Sequence, residues 1–425
     1  MCSDSLYNYT LPAGLTINGN IVGGCKNAHF TYTEEEGAEK GKVREYVGGF
    51  TSHINDKDKK ERIQLNIFCN FKPLTIIEEK DKKTLRGSYI FGGCDEYGII
   101  NGSTKIILHS DLVGKEYANT DDLYKLIKNN TIEGCEVFGG GKGKNTKVLG
   151  RTNVTLCNRA HNDINYFPKA IGVYGGGMNG GVEGGSSVNI NNGVVHRVFA
   201  GASRTYVNGG TFVKIGDESN KQGSISINTV YGGNDISGEV GYGTFTNGRG
   251  KDVKTCSYVL ITESPEVIPA IRDVYAGGNG CYENTYNDSL PRPDIDATYL
   301  DIRGGIISRA FGGSNESSVR KKSTIDVDSN NKITYLYGGN NLSDMYVQPE
   351  WNLYKGKVGT LYGGCNLANV LYYNEAEDRL VNPGAGHNVG LMITLAHEEF
   401  SADNVFGGCR MGNVRAHRNR NGVFE

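Results

Sequence analysis

The chain has 425 residues, 61 of them glycine and 9 proline, with 45 basic and 47 acidic side chains for a net charge of −2. That balance excludes the basic excess of a nucleic-acid binder, and the proline count excludes a collagen-like or proline-rich disordered chain. At 37% hydrophobic residues, with no apolar run of 18, the chain is expected to carry no membrane-spanning segment and a thin core, one apolar stripe per repeat.

Met1 to Thr10 lack the basic and apolar regions of an export signal. From Val22 onward one pattern recurs: an apolar residue, an aromatic or Val, Gly or Ala, then Gly. Its anchors are Val22, Val47, Phe91, Phe138, Tyr174, Phe199, Tyr231, Tyr275, Phe311, Tyr337, Tyr362 and Phe406. The shortest spacing, 25 residues, recurs along the chain, so it sets the bare coil and the excess is insertion. Self-similarity on this scale marks solenoids and propellers, and 25 residues are too few for a four-stranded blade.

Upstream of the anchors the chain alternates with period two, as in Ser187-Val188-Asn189-Ile190, Ser224-Ile225-Ser226-Ile227, Thr298-Tyr299-Leu300-Asp301-Ile302 and Thr324-Ile325-Asp326-Val327. Such alternation with β-branched residues predicts half-buried strands. Four residues before the anchor an aliphatic recurs (Val195, Ile227, Ile271, Ile307, Ile333, Val358), which predicts an internal ladder. The glycine pair is expected to turn a corner with φ > 0 and to let stacked turns lie close. The fold class that follows is all-β: a single parallel β-helix (β-solenoid) over residues 1–425, of about twelve coils with loop insertions and one short helix. The helix is expected in the segment Ser103 to Glu133, where Thr120 can cap Asp121 to Lys128. The other insertions are expected at Thr51 to Gly87, Tyr242 to Arg272, Cys281 to Asp296 and Asn366 to Asn404; a face that gathers them is the expected binding face. No polar cap is visible at either end, so the chain reads as an excerpt of a longer repeat protein.

No motif fixes a chemistry, and catalytic and binding residues stay unassigned. Of ten cysteines, Cys25, Cys94, Cys365 and Cys409 follow the glycine pair directly. They read as small turn-filling thiols, with a Cys365–Cys409 disulfide the strained alternative. Gly139 to Lys144 lacks the spacing of a phosphate loop, and Gly277 to Tyr282 lacks the Asp of a calcium-binding nonapeptide. Asp294 with Asp296, and Asp326 with Asp328, place carboxylates on one side of a strand and read as surface decoration. His397-Glu398 has no second His for a zinc peptidase. Asn119-Thr120-Asp121 and Gly386-His387-Asn388 match the short motifs of polygalacturonases only in part and read as coincidence. No metal and no cofactor is expected. The anchors Phe199, Tyr231, Tyr275, Tyr337 and Tyr362 read as structural stacks rather than ligand platforms.

Tracts such as Val173-Tyr174-Gly175-Gly176-Gly177-Met178-Asn179, Leu361-Tyr362-Gly363-Gly364-Cys365-Asn366 and Val405-Phe406-Gly407-Gly408-Cys409-Arg410 resemble the glycine-rich repeats of adhesin-like β-helical surface proteins of Bacteroides-type bacteria. The resemblance implies a secreted or cell-surface protein and supplies no catalytic residues. The expected function is a non-enzymatic stalk or adhesin segment that presents loops to a glycan or protein partner. The alternative is a carbohydrate-active enzyme, a polysaccharide lyase or glycoside hydrolase, on a right-handed β-helix. That requires carboxylates converging from adjacent coils in a groove.

Overall fold

In a computed structural model, the described residues are 61–68, 89–109, 135–157, 168–280, 292–371 and 397–414, with shorter stretches within 7–86, 160–165 and 373–395. The chain winds as a parallel β-helix with two long sheets and a short third one. The first sheet runs from Tyr7–Leu11 through Glu61–Ile67, Ser103–His109, Arg151–Cys157, Gly185–Ile190, Thr211–Ile215, Ser257–Ile261 and Ile295–Ile302 into the first halves of Val319–Tyr337 and Pro349–Tyr362. It is called the hydroxyl sheet below. The second, the anchor sheet, pairs Val22, Phe91, Phe138, Tyr174, Phe199, Tyr231, Tyr275, Phe311, Tyr337, Tyr362 and Phe406 in register. The short sheet begins with Tyr97–Ile100, Asn145–Val148 and Gly181–Val182.

The predicted aliphatic column exists: Val195, Ile227, Ile271, Ile307, Ile333 and Val358 pair successively and line the core. Three expectations are corrected. Val22 pairs directly with Phe91, so no coil intervenes for Val47, which itself lies outside the described residues. The insertions are narrower than expected, because Ile63, Leu65 and Ile67, Ser103–His109 and Ser257–Ile261 are rungs of the hydroxyl sheet. The expected helix, and the remainder of its segment after His109, lie outside the described residues.

The third correction concerns the glycine pair. Positive φ occurs at other glycines, such as Gly210 (80°) and Gly305 (85°), and at none of the described anchor pairs. What the pair provides is absence of a side chain. The amide of the first glycine donates to the anchor carbonyl of the next rung, and that of the second to the next rung's second glycine carbonyl, as Gly139 does to Tyr174 and Gly140 to Gly176. This leaves the carbonyl of the first position without a backbone donor. A buried carbonyl must be paired, and on several rungs the Ser or Thr that opens the hydroxyl-sheet strand does it. Thr104 donates to the Gly139 carbonyl at 2.6 Å and Thr298 to that of Gly312 at 2.8 Å. Ser186, Thr211 and Ser257 do the same for Ala200, Gly232 and Ala276.

At the second glycine, a Cβ would meet the next rung's third turn residue: Asn234 for Gly201, Asn340 for Gly313, Cys365 for Gly339 and Cys409 for Gly364. Those side chains reach back to cap a backbone amide. Asn234 Oδ1 accepts from Ala202 N at 2.7 Å, Asn340 Oδ1 from Ser314 N at 2.7 Å, and Cys365 Sγ from Asn340 N at 3.3 Å. Cys409 Sγ accepts from Cys365 N at 3.2 Å, and both thiols are free. The turn cysteines are therefore hydrogen-bond acceptors, consistent with the turn-filling reading; Cys25 lies outside the described residues.

The anchors form a second column outside the aliphatic core, with rings nearly parallel and centroids at the rung spacing, for example 4.8 Å for Tyr174–Phe199 and 4.6 Å for Phe199–Tyr231. They are buried stacks, as expected, except that Phe406 on the last described rung is 49% exposed. Four residues beyond the anchors runs a polar column. Asn279, Asn315, Asn341 and Asn366 each donate Nδ2 one rung toward the N-terminus, to Asp235, Asn279, Asn315 and Asn341, at 2.7–2.8 Å. Arg410 donates into the far end at 3.2 Å.

Two predictions follow from the packing. At Gly338 a Cβ would overlap the Gly363 carbonyl oxygen and Trp351, and at Gly232 the Ala276 carbonyl oxygen and Val259. Gly338→Val and Gly232→Val are expected to cost about 3 kcal/mol or more, with the Ala variants milder, because Ala200 and Ala276 occupy that position naturally. Urea unfolding midpoints equal to wild type would sink the close-approach account. The second concerns His196, which burial and the Arg197 and Arg272 guanidiniums push down to about 4. In the unfolded chain it titrates near 6.5, so above that pH it is neutral in both states. As pH falls from about 6.5 towards 4 the unfolded state alone takes up the proton, and folding stability drops. His196→Gln should flatten the stability–pH profile in that window, measured by denaturant midpoints at several pH values.

Candidate functional site

The described insertions enter at the two corners that border the hydroxyl sheet: after its strands, as in 216–224 and 262–269, or before them, as in 243–255. The last is the best defined. Gly243–Thr246 and Asp252–Thr255 pair antiparallel, and the turn closes because Asn247 Oδ1 accepts from Arg249 N (3.0 Å) and Lys251 N (2.9 Å), with Gly250 at φ 72°. This hairpin lies across the outer side of the hydroxyl sheet. Phe245 and Val253 pack on Phe212, Tyr258, Leu260 and Tyr299.

Under its tip lie carboxylates from adjacent coils, Asp301 and Asp326, in direct register with Asn352 on the next coil. Their side chains are sealed, with Asp301 0% and Asp326 1% exposed. Asp301 Oδ2 accepts from Gly248 N (2.9 Å) and from the Tyr258 hydroxyl (3.0 Å). Its Oδ1 lies 2.8 Å from Arg303 Nε, off the hydrogen-bond axis, so that contact is an ion pair. Asp326 accepts from the Tyr299 hydroxyl and from Asn352 Nδ2, both at 2.6 Å. Asp328 pairs with Arg249 Nη2 at 2.7 Å and with Arg303 Nη1 at 3.3 Å, and the Arg249 guanidinium sits 3.4 Å above the Tyr354 ring. Burial raises the Asp301 carboxyl above its ordinary range and pushes Tyr258 and Tyr299 upward. Asp326 was expected as surface decoration. The correction has a physical cause: the hairpin covers this face, and Asp326 serves the latch beneath it. Asp296 does stay near the surface, paired with Arg320 (2.9 Å) and Lys321 (3.1 Å).

Beside the hairpin, towards the N-terminal coils, the same face opens into a cleft of about 250 Å³. Its floor is Asn153, Ser187 and Asn189, its wall Phe212, Thr244 and Phe245, and its rim Arg151 with the backbone of Gly185, Gly209 and Gly210. Asn153 Nδ2 donates to Ser187 Oγ at 2.7 Å and Asn153 Oδ1 accepts from Thr155 at 2.9 Å, which fixes the amide. Gly210 has φ 80° and lies against Gly243 and Phe245, so the strand entry stays flush with the hairpin. No carboxylate lines this cleft. A half-buried aromatic with convergent amides and hydroxyls is the surface that takes up a polyhydroxylated ring. A larger hollow on the short-sheet side is lined by Arg204, Thr205, Tyr206, Asn208, Ser237, Gly238 and Glu239; it contains a carboxylate, and its aromatic, Tyr206, is tied through its hydroxyl to Glu183 at 2.8 Å.

The residues singled out by sequence do not meet in either place. Cys365 and Cys409 are turn caps, and Cys94 is buried at the same turn position. Lys142, in the glycine-rich stretch, pairs with Asp95 at 2.7 Å. His397 packs beside Tyr354. Asn119 to Asp121 and Gly386 to Asn388 lie outside the described residues. The cleft residues Arg151, Asn153, Ser187, Asn189 and Phe212 escaped notice, although aligning the hydroxyl that precedes each outward residue (Thr152-Asn153, Ser186-Ser187, Thr211-Phe212) places three of them in one column.

Arg303→Ala leaves the Asp301 carboxylate buried without its cation and is expected to cost about 3–5 kcal/mol. Adding Asp301→Asn, which keeps an acceptor for Tyr258 and Gly248, should recover most of that. Denaturant unfolding of both variants tests it; a single variant as stable as wild type would refute the latch.

Searches of protein-family models, curated proteins and solved structures returned no match for this chain.

Proposed function

We propose that this chain is a segment of a non-enzymatic, secreted or cell-surface β-helical stalk or adhesin that binds a glycan on the outer face of its hydroxyl sheet. One observation carries this reading: the accessible cleft on the insertion-bordered face offers aromatic, amide and hydroxyl groups and no carboxylate, while the adjacent-coil carboxylates Asp301 and Asp326 are sealed and hydrogen-bonded. The rod supplies rigidity along its length, and Phe212 supplies the ring platform.

The enzymatic alternative rests on the same pair. Asp301 and Asp326 occupy one face of successive coils, and burial raises the Asp301 carboxyl, the direction a general acid needs. For that role the hairpin must lift off, breaking the contacts of Gly248 and Arg249.

Affinity electrophoresis of the 425-residue protein through gels containing individual soluble polysaccharides tests the proposal. Retardation by at least one polysaccharide is expected, with Phe212→Ala reducing it by about fivefold or more, the scale of one lost stacking contact. Release of new reducing ends or unsaturated sugar ends, abolished by Asp301→Asn, would overturn it in favour of the enzyme.

A further inference from the structure

The register of the hydroxyl sheet sets its outward residues in columns. On the N-terminal rungs they are Gln64 and Asn66, then Lys105, Ile107 and His109, then Arg151, Asn153, Thr155 and Cys157. Ser187 and Asn189 follow, then Phe212 and Lys214. No acid stands among them, whereas beyond the hairpin the same face carries Asp301, Asp326, Asp328 and Glu350 interleaved with Arg303, Lys322 and Lys355, and Arg303 and Lys322 pair with those acids. In a chain of net charge −2, the N-terminal rungs of this face thus carry basic residues without acids, while beyond the hairpin acids and bases stand together. The hairpin lies between the two, with Arg249 paired to Asp328.

Among the N-terminal rungs, Arg151 stands exposed on the rim of the cleft, and Lys214 pairs in register with Asn189 of its floor. The Arg151 side chain makes no ion pair among the described residues. A planar guanidinium accepts a carboxylate or sulfate through two parallel hydrogen bonds. Asn153, Ser187 and Asn189 can share hydroxyl hydrogen bonds, and Phe212 can take the face of a ring.

We infer that the cleft selects an anionic polysaccharide, with Arg151 engaging the carboxylate or sulfate of the sugar unit stacked on Phe212. This rests on the glycan-binding reading above and adds the ligand class to it.

The test is affinity electrophoresis and calorimetry of the whole chain against alginate, dextran sulfate and dextran, for wild type, Arg151→Gln, Arg151→Lys and Phe212→Ala. Circular dichroism melting confirms that each variant is folded. The expected result is binding of alginate or dextran sulfate and not dextran. Arg151→Gln should weaken it by about fivefold or more, the loss of one charge-assisted contact, and Arg151→Lys by less. Alginate against dextran sulfate distinguishes carboxylate from sulfate recognition. Equal binding of dextran with no effect of Arg151→Gln overturns the charge assignment and leaves glycan binding standing. Binding of polyanions that Arg151→Gln and Phe212→Ala both leave unchanged overturns the site. Failure to bind any of a broad panel of polysaccharides overturns the glycan reading itself.

Discussion

Successive rungs of a parallel β-helix lie about 4.8 Å apart, and at the second position of each turn that distance leaves no room for a Cβ. Everything else about the turn follows from this. The vacated volume receives the third residue of the next coil, whose Asn, Ser or Cys side chain caps an amide that the turn would otherwise strand. The first position gives up its own carbonyl to a hydroxyl from across the core. With both corners tied, the anchor strands superpose closely enough for planar rings to stack rung upon rung. Nearly parallel rings at this centroid spacing fall in the offset-stacked range that ring quadrupoles favour, so the backbone register and the ring geometry agree, and burial of large apolar surface adds to both.

The hydroxyl sheet carries the variation. Its inner side is uniform, while its outer side changes from amides and basic residues to tyrosines and carboxylates under a hairpin. The scaffold repeats for stability, and one outward column is free to differ from rung to rung. Such a column is where a repeat protein places recognition, because a change there leaves the ladder intact.

Much of this was legible in the sequence, because glycine pairs and aromatic anchors recur at a fixed phase whatever is inserted between them. The aliphatic column four residues upstream was legible for the same reason. Glu61–Ile67 was not, although Ile63, Leu65 and Ile67 alternate plainly; the rung lies far from its anchor, Phe91, and fell within a presumed loop. Ser257–Ile261 hid differently: the hairpin covers it, so Tyr258 and Leu260 are apolar on the outward side and alternation is lost. The role of the glycine pair was misjudged because glycine signals both positive φ and close approach, and only the neighbouring rung distinguishes them. The cleft was invisible because Arg151, Asn153 and Phe212 are ordinary outward residues until the register sets them side by side.

The asparagine column has a direction. Every amide from Asn366 to Asn279 donates the same way, beginning at the Arg410 cation and ending on the Asp235 carboxylate. Reversing one side-chain amide would set two donors against each other at one junction and two acceptors at the next, so no member can flip alone. The six residues behave as one aligned row of dipoles, in which each bond polarises its neighbours. Along these coils the column is thereby poled parallel to the rod axis, with a carboxylate at one end and a cation at the other.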